Sequence, residues 1–177
     1  PAVTMRLFAE ERRNGTMELL LTRPLSELNI VLAKYLAGVT LLFISLLPTL
    51  VYFVSVYQLG NPVGNLDMGA TWGSYIGLFF LAAVYVAIGV FSSSVTDNQI
   101  VAFVLAVALC FVFFYGFEAA ALVPGLKNWR DVMVFLGINE HYKSISRGVI
   151  DSRDVVYFLS VIVLFVMATK IALNSRK

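Results

Sequence analysis

Charge is scarce in this chain. Asp, Glu, Lys and Arg together make up 14% of its 177 residues, against roughly 25% in a soluble domain. Cysteine occurs once, as Cys110 inside an apolar run, which excludes a disulfide scaffold. Histidine also occurs once, as His141, and with scattered carboxylates these two residues make no ligand set at workable spacing, so no metal site is expected. No G-x-x-x-x-G-K-[ST] phosphate loop and no G-x-S-x-G elbow is present, so the chain carries neither an ATPase site nor a serine nucleophile of that kind. His141 and Ser144 share a helical spacing, but nothing marks the serine as reactive, and no catalytic residue is assigned. The net charge of +2 gives no reason to expect nucleic acid as a partner. The first 28 residues are too charged to hold the apolar core of a secretory signal.

What is abundant is apolar surface. Hydrophobic residues make up 59% of the chain and the mean hydropathy is +0.84, which excludes disorder. A bilayer core about 30 Å thick needs roughly 20 apolar residues per spanning helix. Tyr35 to Tyr57 and Met68 to Thr96 carry no charge, Ile100 to Phe117 carries none, and Val155 to Leu173 carries only Lys170, which can snorkel. Four such runs cannot all be hidden inside so short a protein, so they predict an all-α polytopic transmembrane helix bundle with four spans. Pro48 predicts a kink in the first span. Ser26 predicts an N-cap with Glu27 in the first turn. Thr96-Asp97-Asn98-Gln99 reads as a polar hairpin between spans.

Four spans place both ends on one side. That side holds Arg6, Arg12, Arg13, Arg23, Lys34, Lys170, Arg176 and Lys177; the other holds Lys127, Arg130, Lys143, Arg147 and Arg153. The excess puts both ends in the cytoplasm. The division that follows is a cytoplasmic segment over 1–28, a bundle over 29–173 with an external loop at 118–154, and a tail at 174–177. In that loop Leu126, Trp129, Val132, Met133 and Leu136 recur at helical spacing, which predicts a short interfacial helix. A second short helix is predicted over His141 to Val149. Glu118 closes the third span as a boundary carboxylate or faces a cavity. Gly69, Gly73 and Gly77, four residues apart, predict close helix packing within the chain or at a subunit interface. No span carries an ionisable residue in its middle, which argues against an ion-coupled transporter. The hydroxyls available within the spans select no substrate.

Residues 10–26 read EERRNGTMELLLTRPLS. Charges of both signs surround an apolar stub that faces the cytosol, and Asn14-Gly15 marks a turn with Thr16 able to cap a short helix over Met17 to Thr22, stopped by Pro24. This segment resembles the E-E-[KR]-x-x-G-T-x-E-L-L-L-T-x-P-[LV]-S pattern of ABC-2 type transporter permeases. A second stretch, EHYKSISRGVIDSRD at 140–154, resembles the H-[FY]-x-S-[IF]-x-[KR]-G-V-[IL]-D-x-[KR]-D pattern of one branch, which contains the gliding-motility permease and the permease of multicopper-enzyme maturation. That pattern covers His141, Ser144, Arg147, Gly148, Asp151 and Asp154.

The resemblance implies a six-span permease half of an ABC exporter, multi-pass in the bacterial inner membrane. It implies pairing with a second permease half, as a homo- or heterodimer, and docking on a cytoplasmic ATP-binding cassette subunit. ATP and Mg would be bound by that subunit, and no cofactor by this chain. Glu10, Glu11, Gly15, Thr16, Glu18, Leu19, Leu20, Thr22 and Pro24 would then belong to the coupling helix and its flanks. With four spans present, the resemblance also implies a fragment lacking the first two spans. A membrane anchor or scaffold without a transport role is the alternative.

Overall fold

A computed structural model describes residues 1–16, 26–123 and 128–175. Among them there is no strand, and the fold is an all-α bundle with four helices long and apolar enough to cross a membrane. A short helix α1 (Ala9–Arg13) precedes the bundle. The first span runs from Glu27 to Leu59 as two pieces, α2 (Glu27–Leu46) and α3 (Thr49–Leu59). The second is α4 (Met68–Val95). The third starts as α5 (Gln99–Phe111), passes through a π turn (Val112–Gly116) and ends in α6 (Phe117–Ala121). Two short helices, α7 (Arg130–Leu136) and α8 (Ile138–Ser146), form a cap before the last span, α9 (Ser152–Asn174).

The helix boundaries follow local chemistry. Ser26 caps α2 by accepting from the Asn29 amide at 3.3 Å. Asp67 caps α4, Asn98 caps α5 and Asp151 caps α9, each accepting from amides in the first turn that have no partner within their own helix. Proline offers no amide to the turn before it. The first span accordingly breaks at Leu47–Pro48, where the Leu50 and Val51 amides reach back only three residues, to the Leu47 and Pro48 carbonyls. The second cap helix begins three residues earlier than the sequence predicts and stops at Ser146, because Gly148 takes a left-handed turn with φ +85°.

Helix α4 is the centre of the bundle. Its second half is buried almost without interruption, from Ala83 through Ser94. Phe80 stacks on Phe158 of α9 with ring centroids 5.7 Å apart, and Phe91 meets Phe165 at the same distance. Phe113, in the π turn, closes on Phe165 from the third span at 5.2 Å. In contrast, α3 has no buried residue. Several hydroxyls within the spans are satisfied locally: those of Thr40, Ser45, Ser55, Ser92, Ser160 and Thr169 each donate to the carbonyl four residues back. A backbone carbonyl on the same helix is the nearest acceptor where water is absent.

Candidate functional sites at the two ends of the bundle

Residues 1–16 sit at the end of the bundle where α2 begins and α4 stops. The Ser93 hydroxyl, fully buried, accepts the amides of Phe8 at 2.9 Å and Ala9 at 3.0 Å and donates to the Met5 carbonyl at 3.0 Å. One side chain thus satisfies two amides at the start of α1, which have no partner within that helix, and a carbonyl in the turn before it. Thr4 lies on Gly89, where a Cβ would fall 1.9 Å from its Oγ1. Only glycine permits that approach. Lys34 fastens the segment from the other side: its Nζ lies 2.6 Å from Glu11, donates to the Leu7 carbonyl and sits 4.6 Å above the Phe8 ring. Arg12 pairs with Asp97 of the hairpin at 3.5 Å.

The predicted coupling residues divide accordingly. Glu11 is engaged within the chain by Lys34, whereas Glu10 is exposed. Gly15 makes the expected turn, with φ +68°, and the Thr16 hydroxyl donates to the Glu11 carbonyl at 3.2 Å. Glu18, Leu19, Leu20, Thr22 and Pro24 lie outside the described residues. Ser26 and α2 resume the chain at the same end of the bundle. The sequence shows Lys34 only as a basic residue on this side and Ser93 only as a hydroxyl within a span; it does not show that either one holds residues 4–12. The one available signal was Ser92-Ser93-Ser94, three hydroxyls closing an otherwise apolar run.

At the opposite end the cap packs over α4 and α9. The His141 ring is buried: Nδ1 lies 2.7 Å from Asp154 Oδ1 and Nε2 lies 2.8 Å from the Phe135 carbonyl. Both nitrogens therefore face oxygens, and both contacts are met when one proton lies between Nδ1 and Oδ1 and another sits on Nε2. Tyr157 stacks on the imidazole, centroids 3.9 Å apart, and its hydroxyl donates to the Leu136 carbonyl at 2.5 Å. The histidine thus joins the end of α7 to the start of α9. Ser144 is not among its partners; with Arg147 it lines a small exposed depression.

Gly148 and Asp151 act through backbone geometry, the first as a left-handed turn and the second as the cap of α9. Gly73 and Gly77 face α8, where a Cβ on Gly73 would lie 2.3 Å from the Ile145 carbonyl oxygen. Gly69 meets the cap through Gly148, whose own Cβ would fall 2.7 Å from the Gly69 carbonyl carbon.

Glu118, just past the π turn, accepts from Asn139 at 2.5 Å and pairs with Lys143 at 3.6 Å. These three residues border a cavity of about 430 Å³ together with Tyr115, Ala119 and Leu122. A second cleft, of about 310 Å³ between the first span and α4, is walled by apolar and aromatic side chains including Phe43, Leu47, Trp72 and Phe79.

In comparison with known families, the model of the ABC-2 family transporter protein family aligns with residues 2–174. No curated protein matches the chain significantly.

Proposed function

Because the chain belongs to the ABC-2 family of transporter proteins, and so is a membrane permease subunit of an ABC transporter, we propose that it serves an exporter driven by a separate cytoplasmic ATP-binding subunit. Energy enters through the segment around residues 10–24. The observation that carries this reading is the clamp on its amino-terminal side. Residues 4–12 are tied to Ser93, Lys34 and Asp97, and the chain re-enters the bundle at the Ser26 cap of the same end. A segment held on both sides can pass on a displacement that a loose loop would absorb. Leu19 and Leu20 supply apolar anchors for a groove on the ATP-binding subunit, and Glu10 and Glu18 supply charge for its rim.

Both ends of the chain then face the cytoplasm, and the cap over 128–151 faces outward, in agreement with the basic-residue excess. The protein works in the bacterial inner membrane beside a second permease half. Its 140–154 motif supports the gliding-motility and multicopper-maturation branch.

The test is the pair Glu18→Arg and Leu20→Asp in the full-length protein co-expressed with its ATP-binding subunit. Co-purification of that subunit should fall sharply and ATP hydrolysis should no longer drive transport. Unchanged co-purification would refute the docking role.

A further inference from the structure

The route by which movement would leave the coupling segment is visible in the helix breaks. The segment is covalently joined to α2, but the first span is interrupted at Leu47–Pro48, and α3 beyond that point has no buried residue. A displacement delivered to α2 meets a proline break in the helical hydrogen-bond ladder before it reaches the far end. Helix α4 has no such break. It runs 28 residues without proline, about 42 Å at 1.5 Å per residue, and both its ends are joined to other elements by contacts that leave no room to slip.

At one end these are the three Ser93 hydrogen bonds and the Thr4–Gly89 contact. At the other, Gly73 lies beneath the Ile145 carbonyl, Gly148 presses on Gly69, and the Ser74 hydroxyl lies 3.2 Å from the Ser146 carbonyl. The cap is in turn fixed to α9 through His141–Asp154 and Tyr157–Leu136.

We propose that α4, rather than the span directly attached to the coupling segment, is the rod that carries movement from residues 4–12 to the far-end cap, with Ser93 as the positioning residue that couples it. This rests on the proposed function. Interlocked surfaces of this density shift as blocks rather than deform, so a displaced amino-terminal segment drags α4, and α4 drags the cap.

The test uses the full-length protein in complex with its ATP-binding subunit, with Cys110→Ala and a reporter Val149→Cys, at a cap residue that is 62% exposed. Labelling by a membrane-impermeant maleimide is timed with and without ATP–vanadate trapping. Trapping should change the labelling rate severalfold in the parent. Ser93→Ala should abolish that change while the ATP-binding subunit stays bound. Ser92→Ala is the control, because that hydroxyl donates only within its own helix, to the Ile88 carbonyl, and it should keep the parent response. Should Ser93→Ala fail to accumulate, Asp97→Lys, at a position whose side chain is 67% exposed, breaks the Arg12 tie and should diminish the response. A parent-like response in Ser93→Ala, or a parent cap indifferent to trapping, would overturn the rod. Failure of the parent to bind an ATP-binding subunit at all would instead overturn the proposed function.

Discussion

His141 gains its importance from what surrounds it. Its spacing from Asp154 is thirteen residues, with a helix end, a glycine turn and a new helix start between them, so no periodicity brings the two side chains together on paper. The pairing is made only when α8 folds back on α9. Truncating the ring leaves the Asp154 carboxylate buried without its partner and the Phe135 carbonyl without a donor. His141→Ala should therefore lower stability by about 1–3 kcal/mol, the cost of stranding a buried polar group. The double variant His141→Leu with Asp154→Leu should recover part of that loss, because it removes both members of the pair. Unfolding of the detergent-solubilised protein measures both. The serines divide in the same way. From the sequence Ser92 and Ser93 are indistinguishable, yet one hydroxyl returns to its own helix and the other holds a distant segment.

At the scale of elements, stops and starts were legible and rotations were not. Ser26 and Pro48 act where the sequence puts them, because capping and the missing proline amide are local effects. The π turn at Val112–Gly116 has no such local signature, and neither has the early start of α8.

Spacing alone makes Gly69, Gly73 and Gly77 equivalent, but their surroundings differ. A Cβ at Gly69 meets only Asp67 Oδ1, at 3.3 Å, whereas one at Gly73 runs into backbone of the cap at 2.3 Å. Gly69→Ala should accordingly be tolerated, and Gly73→Ala should cost about 1–3 kcal/mol through overpacking against an unyielding partner. Paired thermal melts decide it, and equal melting temperatures would refute the contact.

For the whole molecule, hydropathy dictates the class, and charge asymmetry is the argument for the proposed orientation. Long apolar runs have few stable solutions other than helices that satisfy their own backbone in lipid. Under the proposed orientation, Val149→Cys should react with an impermeant maleimide in intact cells, and Asn14→Cys should react only after the membrane is opened. The native Cys110, buried in α5, should stay silent in both. Reversed labelling would turn the molecule over and separate the amino-terminal clamp from any cytoplasmic ATP-binding subunit.

Composition and near-neighbour chemistry were enough for the number of spans, the family motif at 10–26 and the place where the first span breaks, because each depends on residues within a short stretch. Long-range packing alone sets Ser93 on the amino-terminal segment, Lys34 on Glu11, His141 against Asp154, and α4 against both ends of the bundle. These contacts join residues up to 88 positions apart. Their geometry arises from helix packing, which selects one rotation of each helix among many that composition alone permits.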